Sequence, residues 1–383
     1  MSLVLVAGLA LIAGCSGGSD GKSGSGGSAG GNTSKAEAAP VAKFTAVPAD
    51  GAKDVAVNVP VQVSVAEGTL TEVSVTNPEG KAIQGQIAAD KHTWTSTESL
   101  GYGKTYTYAG KATGTDNKTA DLKGAFTTLT PTAKIRATVN PTDNQTVGVA
   151  MPISVKFDKP VKDRVAAQKA LSVTPASDGT WAWLNPQQVN FRPSKYWPEN
   201  TKVHVDAKLY GVAYGDGAYG VDDLTSDFTI GRNQVVKIDV PTHQLVVLRD
   251  GHQTASYPAS FGLDNDAERT TPNGTFVVMQ KDAKWSFDNP QYGYTNVVKK
   301  WAVRFSNHGE FIHENNDNAA NIGKKNSSHG CANLLEADAK AYYDSSLIGD
   351  PVEVTGSITT LPAKYDWYDW QIPWSQWKTL SAS

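Results

Sequence analysis

Apolar and polar positions change rhythm three times along the chain. Leu3 to Ala13 is a short apolar stretch of leader length, too short to span a bilayer as a helix. From Ser16 to Ala39, fourteen of 24 residues are Gly or Ser and no apolar period exists. Such a segment buries too little surface to offset the entropy of ordering it. As a flexible coil of about 27 residues it spans roughly 30 Å. Two stretches of about 90–100 residues follow in which short runs alternate with period 2 between Pro/Asp/Asn turns, the signature of sandwich strands. Val47-Pro48-Ala49-Asp50-Gly51 and Asn140-Pro141-Thr142-Asp143-Asn144 open the two copies. Strands are expected at Val57–Val63 and Val149–Val155, where Pro60 and Pro152 lie 92 residues apart. Phe126-Thr127-Thr128 and Phe228-Thr229-Ile230 close the copies, 102 apart.

After Gly231-Arg232 the rhythm changes again. Val235–Asp239 and Gln244–Leu248 read as strands, with Asp250-Gly251 as a two-residue hairpin turn. Further strands are expected at Thr275–Met279, Ala302–Phe305, Phe311–His313 and Pro351–Val354. One helix is expected near Leu335–Tyr343, where Leu335, Ala339 and Tyr342 or Tyr343 share a face. The chain therefore reads as mainly β, and 383 residues with 35 Gly and 19 Pro suit two or three turn-rich domains.

Charge excludes one class of partner. With 35 Lys+Arg against 38 Asp+Glu there is no basic stripe to neutralise phosphates, so no nucleic-acid partner is expected. The cysteine count is more informative. Only Cys15 and Cys331 exist, and Ile312-His313-Glu314 precedes Ser328-His329-Gly330-Cys331-Ala332-Asn333 by fourteen residues. A thiol with nearby imidazoles is what acyl transfer needs, because the thiolate attacks and a base must take its proton. Gly330 lets the backbone turn sharply beside a substrate, and amides at that turn, just ahead of the helix, are placed to receive an oxyanion. His308, His243 and His252 read as solvated loop or turn residues, and His92 and His204 as ordinary strand residues. No metal is expected: His313, His329 and Cys331 would put two zinc ligands on one tight turn, with no further pair to complete the set. The order also differs from papain-like peptidases, which place Cys before His. A sortase-like Thr-x-Thr-Cys strand and the serine-type Lys-Thr-Gly are absent.

The His…Ser-His-Gly-Cys segment resembles the signature of the YkuD-type L,D-transpeptidases. The chain as a whole resembles the mycobacterial two-immunoglobulin-domain lipoprotein type of that family. The resemblance implies two tandem immunoglobulin-like β-sandwiches at 43–130 and 131–232, without an intersheet cysteine pair. A β-rich catalytic domain follows at 233–360, with one helix after the cysteine, and a Trp-rich C-terminal subdomain at 361–383 is expected to pack on it. Ile12-Ala13-Gly14-Cys15 resembles a lipobox, which implies a signal peptide at 1–14, lipidation of Cys15 and a tether at 15–42; no Lys or Arg precedes the apolar run. Residue by residue, the family implies Cys331 as nucleophile, His313 as base and His329 as a further catalytic or orienting group. Gly330, Cys331 and Tyr294 would serve the oxyanion hole and close over the acyl group, with Ser328, Asn333, Met279 and Trp285 at the substrate and Phe287 in the lid. Glu314 follows the base where the family usually has Gly or Ser. Either its backbone carbonyl orients the imidazole, or its carboxylate reaches the ring and raises its pKa. The implied reaction joins peptidoglycan stem peptides by 3→3 cross-links without a cofactor, in a monomer anchored outside the cytoplasm, with carbapenems as covalent inhibitors. The alternative from another class is a non-enzymatic wall-binding lipoprotein carrying a degenerate catalytic domain.

Overall fold

A computed structural model describes residues 39–362 and 367–382. The leader, Cys15 and the tether as far as residue 38 lie outside the described residues. Residues 41–383 form one compact unit built around three main apolar cores.

The first sandwich packs a sheet ordered Lys43–Val47, Gln62–Ala66, Thr93–Ser96, Gly85–Ile87 against the antiparallel strands Gly68–Thr76, Thr105–Gly114 and Thr119–Thr127. Alternation does this: every second residue of Thr105–Gly114 is buried, sending Tyr106 and Tyr108 inward beside Trp94 and Phe126. The second sandwich pairs Thr180–Asn185, Gln188–Arg192, Ile153–Phe157 and Ala137–Asn140 in one sheet. Thr146–Val147, Leu224–Ile230, Lys202–Ala207 and Leu171–Thr174 form the other. The strands expected to run through Pro60 and Pro152 begin only after them, at Gln62 and Ile153. A residue without an N–H cannot donate to a central ladder. A short helix, Arg164–Lys169, was not legible; Asp163 caps it by accepting from the Ala166 N–H at 2.9 Å.

The last domain is two sheets. A five-stranded sheet runs His252–Pro258, Gln244–Arg249, Gln234–Asp239, Pro351–Thr355, Gly274–Val277. A four-stranded sheet runs Gln280–Asn289, Tyr294–Arg304, Phe311–Glu314, Ala332–Leu334, its last pair parallel. Helix Glu336–Ser345 buries Ala339 and Tyr342, but Leu335 stands outside it at 39% exposure. The long hairpin Gln280–Asn289/Tyr294–Arg304 was foreseen only at its last residues. Most of its positions are partly or fully exposed, so it shows no clean apolar face to read.

The junction with the second sandwich is close-packed. The Gly148 and Ala150 N–H groups donate to Ile348 and Gly349 carbonyls at 2.7 and 2.9 Å. A Cβ on Gly148 would sit 2.2 Å from the Asp350 amide nitrogen, so only glycine fits. Arg232 forks onto the fully buried Asp350 carboxylate at 2.9 and 2.7 Å. The C-terminal tail completes the junction and goes further than expected. It packs on the catalytic domain through Leu361 and Tyr368, whose hydroxyl meets Ser306 Oγ at 2.7 Å. Its four tryptophans go instead to the second sandwich. Trp367 lies against that core, Trp370 Nε1 donates to the Ala150 carbonyl, and Trp377 is wholly buried with Ala182 nearby. Arg192 lies over the Trp370, Trp374 and Trp377 rings at 4.5, 5.1 and 4.7 Å.

Candidate active site

His313 and Cys331 owe their meeting to the parallel pairing of two short strands. Ile312, His313 and Glu314 register with Ala332, Asn333 and Leu334. Side chains alternate across a strand, so His313 and Asn333 share a face, and Cys331, two residues before Asn333, starts that same face. The helix expected near Leu335–Tyr343 begins at Glu336, and the unforeseen strand Ala332–Leu334 separates it from the thiol turn.

The turn carrying the thiol is held from both sides. Ser328 Oγ donates to the Cys331 carbonyl at 2.6 Å and accepts from the Gly330 N–H at 3.2 Å. Thr271 Oγ1 donates to the Gly330 carbonyl at 2.8 Å and accepts from the Gly262 N–H at 2.9 Å. Gly330 has φ +116°, where an L side chain is strained, although a Cβ there would find no atom closer than 3.5 Å. Because its N–H is engaged by Ser328, the Cys331 N–H is the better placed of the two amides implied for an oxyanion.

His313 settles the question raised by Glu314. Its Nδ1 lies 2.7 Å from the Glu314 backbone carbonyl, which can only accept, so Nδ1 carries the proton and Nε2 is left as the acceptor. The Glu314 carboxylate is occupied elsewhere, taking the Asn316 N–H at 2.7 Å. Burial lowers the His313 pKa to about 4, with the Lys299 charge adding to it and the carbonyl hydrogen bond opposing. Burial pushes the Cys331 thiol up to about 12, helped by the Glu310 charge and opposed by a backbone hydrogen bond from Phe311. The resting pair is therefore thiol and neutral imidazole, in line with the first of the two alternatives left open at Glu314. Cys331 Sγ is 3.8 Å from the Gly309 carbonyl.

The hairpin forms the roof. Phe287 packs on Phe311 and on the His313 ring, each at 4.9 Å between centroids, and Trp285 stacks on Phe311 at 5.7 Å. Tyr292 and Tyr294 lie against the His329 ring at 4.9 and 5.5 Å. Cys331 opens onto two cavities. One, of about 420 Å³, includes Phe287, Tyr294, His313, Ser328, His329 and Asn333 in its lining. The other, of about 730 Å³, includes Trp285, Tyr294, His308, Glu310 and His329. Burial and the Arg269 charge lower the pKa of His329, and burial raises that of Tyr294, with Cys331 adding to the rise.

Of the residues singled out from sequence, Cys331, His313, His329, Gly330, Tyr294, Ser328, Asn333, Trp285 and Phe287 converge here. Met279 lines neither cavity; its N–H donates to the Arg304 carbonyl at 2.9 Å, at the foot of the hairpin. His308 is an exposed turn residue, as expected, and its Nδ1 also sits 2.7 Å from Glu310 in the second cavity wall. Glu310 went unnoticed. Its only sequence signal is a carboxylate directly before the apolar strand start Phe311-Ile312. His243 is no mere turn residue, since its ring meets Asn326 Oδ1 at 2.9 Å.

Comparison with known proteins identifies similar chains. Residues 52–213 match the bacterial Ig domain model, and residues 233–354 match the L,D-transpeptidase catalytic domain model. The chain is 43% identical over 350 residues to L,D-transpeptidase 5 of Mycobacterium tuberculosis, covering 90% of this chain and 78% of that protein. It is 35% identical to L,D-transpeptidase 2 of the same species, covering 89% of this chain and 85% of that protein. The solved L,D-transpeptidase LdtMt1 in complex with imipenem is 29% identical, covers 59% of this chain and 100% of that one, and superposes with a TM-score of 0.49.

Proposed function

This chain belongs to the L,D-transpeptidase family, and we propose that it forms 3→3 cross-links in peptidoglycan by acyl transfer through Cys331. The observation that carries the chemistry is a thiol and an Nδ1-anchored imidazole on one face of the same parallel strand pair. In this reading, Nε2 of His313 takes the thiol proton as sulfur attacks the carbonyl at the L-centre of diaminopimelate in a tetrapeptide stem. General-base removal in the transition state suits a pair that rests neutral. The Cys331 N–H and Tyr294 serve the developing oxyanion. His313 then returns the proton to the departing D-Ala amine, and the thioester passes to the side-chain amine of a second stem. Carbapenems are proposed to acylate the same sulfur.

The two sandwiches, each about 35–40 Å by strand length and loops, act as spacers. A lipid on Cys15 and the tether anchor the monomer outside the cytoplasm, facing the wall.

Intact-protein mass spectrometry with a carbapenem and with a tetrapeptide donor tests the reading. Wild type is expected to gain an adduct with each, and Cys331→Ala neither. An adduct that persists in the alanine variant discards the nucleophile. Failure of wild type to acylate with either reagent favours the rival, a wall-binding lipoprotein with a degenerate catalytic domain.

A further inference from the structure

The second cavity beside Cys331 contains a carboxylate that nothing above uses. Glu310 is 4% exposed; its Oε1 faces His308 Nδ1 at 2.7 Å, and its Oε2 is buried without a hydrogen-bond partner. A buried carboxylate oxygen left unpaired is costly, and such an atom in a cavity wall marks a place that a donor is meant to fill. Among the described residues no cation fills it. Arg304 lines the same cavity but donates to the Ser306 and Asn307 carbonyls and lies over the Phe311 ring. Glu268 and Asp288 also line that wall, so carboxylates outnumber Arg304 and the cavity is suited to a cation. The His313 cavity differs: its lysine, Lys299, is already bonded to Asn315 and Asp317 at 2.7 and 2.8 Å. The thiol thus stands between a chamber holding the base and a chamber holding an unsatisfied anion.

Resting on the acyl-transfer reading, we propose that Glu310 recognises the acceptor: its Oε2 binds the incoming primary ammonium group and presents it to the Cys331 thioester from the His308 side. The acceptor enters as R–NH3+ and one of its protons passes to the Glu310 carboxylate. The nitrogen lone pair attacks the thioester carbon, so a C–N bond forms and the C–S bond breaks. The second proton lost by nitrogen returns to the Cys331 sulfur, restoring the thiol. His308, with its side chain 41% exposed, connects the Glu310 carboxyl to solvent for release of the first proton. Acylation by the donor uses His313 and does not need Glu310.

The test separates the two half-reactions in wild type, Glu310→Gln and Glu310→Asp by rapid quench and mass spectrometry. Acyl-enzyme is formed with a tetrapeptide donor, then challenged with a stem-peptide amine, with methoxyamine (uncharged at neutral pH) or with water alone. Glu310→Gln is expected to slow capture by the ammonium acceptor about tenfold and to raise its half-saturating concentration, the scale of losing one charge-assisted hydrogen bond. Acylation, hydrolysis and methoxyamine capture should stay within about twofold, and Glu310→Asp should recover part of the preference for the charged amine. Unchanged acceptor dependence in the Gln variant, or acylation slowed as much as aminolysis, overturns the assignment. If either variant fails to fold, wild type still decides, because the ammonium acceptor must saturate where methoxyamine does not. A wild type that never acylates counts against the acyl-transfer reading itself, a different outcome from acylation with no Glu310 effect.

Discussion

His313 is 5% exposed, with Nδ1 committed to a carbonyl and a pKa held near 4 by burial. Its ordinary value is 6.5, so as pH falls through that value the unfolded chain takes up a proton that the native chain refuses until about 4. Folding stability is therefore lost in that window, by up to about 3 kcal/mol for this one group. His313→Gln should flatten the acid limb of a urea-unfolding series between pH 4 and 6.5 and slow acylation about a hundred- to ten-thousand-fold. An unchanged limb would contradict the buried neutral ring, and near-normal acylation would move the base role to His329. The residue types here were legible, since a thiol and two histidines in one short segment have few other uses. Their protonation was not. The sequence left it open between the two roles of Glu314, whereas burial favours the neutral forms of both groups.

At the scale of elements, the thiol turn and the strand after it decide the geometry. Gly330 was singled out for turning sharply, and its φ of +116° bears that out, while a Cβ there would meet Glu310 and Thr270 only at ordinary contact distance, 3.5 Å or more. Gly330→Ala should cost about 1–3 kcal/mol from backbone strain alone and reduce thioester formation by displacing the Ser328 and Thr271 bonds. Urea midpoints and acylation rates check this, and a wild-type-like alanine variant would mean the turn tolerates a Cβ. Most core strands were readable because they alternate or run apolar. The roofing hairpin was not, because Trp285 and Phe287 are packed on Phe311 and His313, contacts that join residues some two dozen positions apart. The three-residue strand Ala332–Leu334 was missed for a related reason: it exists only because Phe311–Glu314 pairs with it.

At the scale of the molecule, the tail ties two domains together. Tyr368 enters the catalytic core while Trp377, wholly buried, donates Nε1 to the Thr180 carbonyl at 3.1 Å in the second sandwich. Trp377→Ala should destabilise the chain by about 3–5 kcal/mol, the range for deleting a buried aromatic. The rate of acylation per folded molecule should hardly change, because the ring lies outside both cavities. Calorimetry against active-site titration separates the two effects; a loss of acylation without a loss of stability would give the tail a catalytic part. Sequence reading foresaw that four tryptophans could not stay exposed, but it sent them to the wrong neighbour. An apolar residue declares that it will be buried, not against what.

What the amino-acid order determined by itself was local: alternation, turns, the Gly/Ser stretch, and a Cys-His chemistry written within nineteen consecutive residues, His313 to Cys331. What the tertiary structure alone decided was non-local. It chose the carbonyl over the carboxylate at Glu314, put the tail tryptophans on the second sandwich and left Oε2 of Glu310 without a partner in a cavity beside the sulfur. Each of these depends on desolvation or on contacts between distant segments. Neither quantity is fixed until the chain has folded around it.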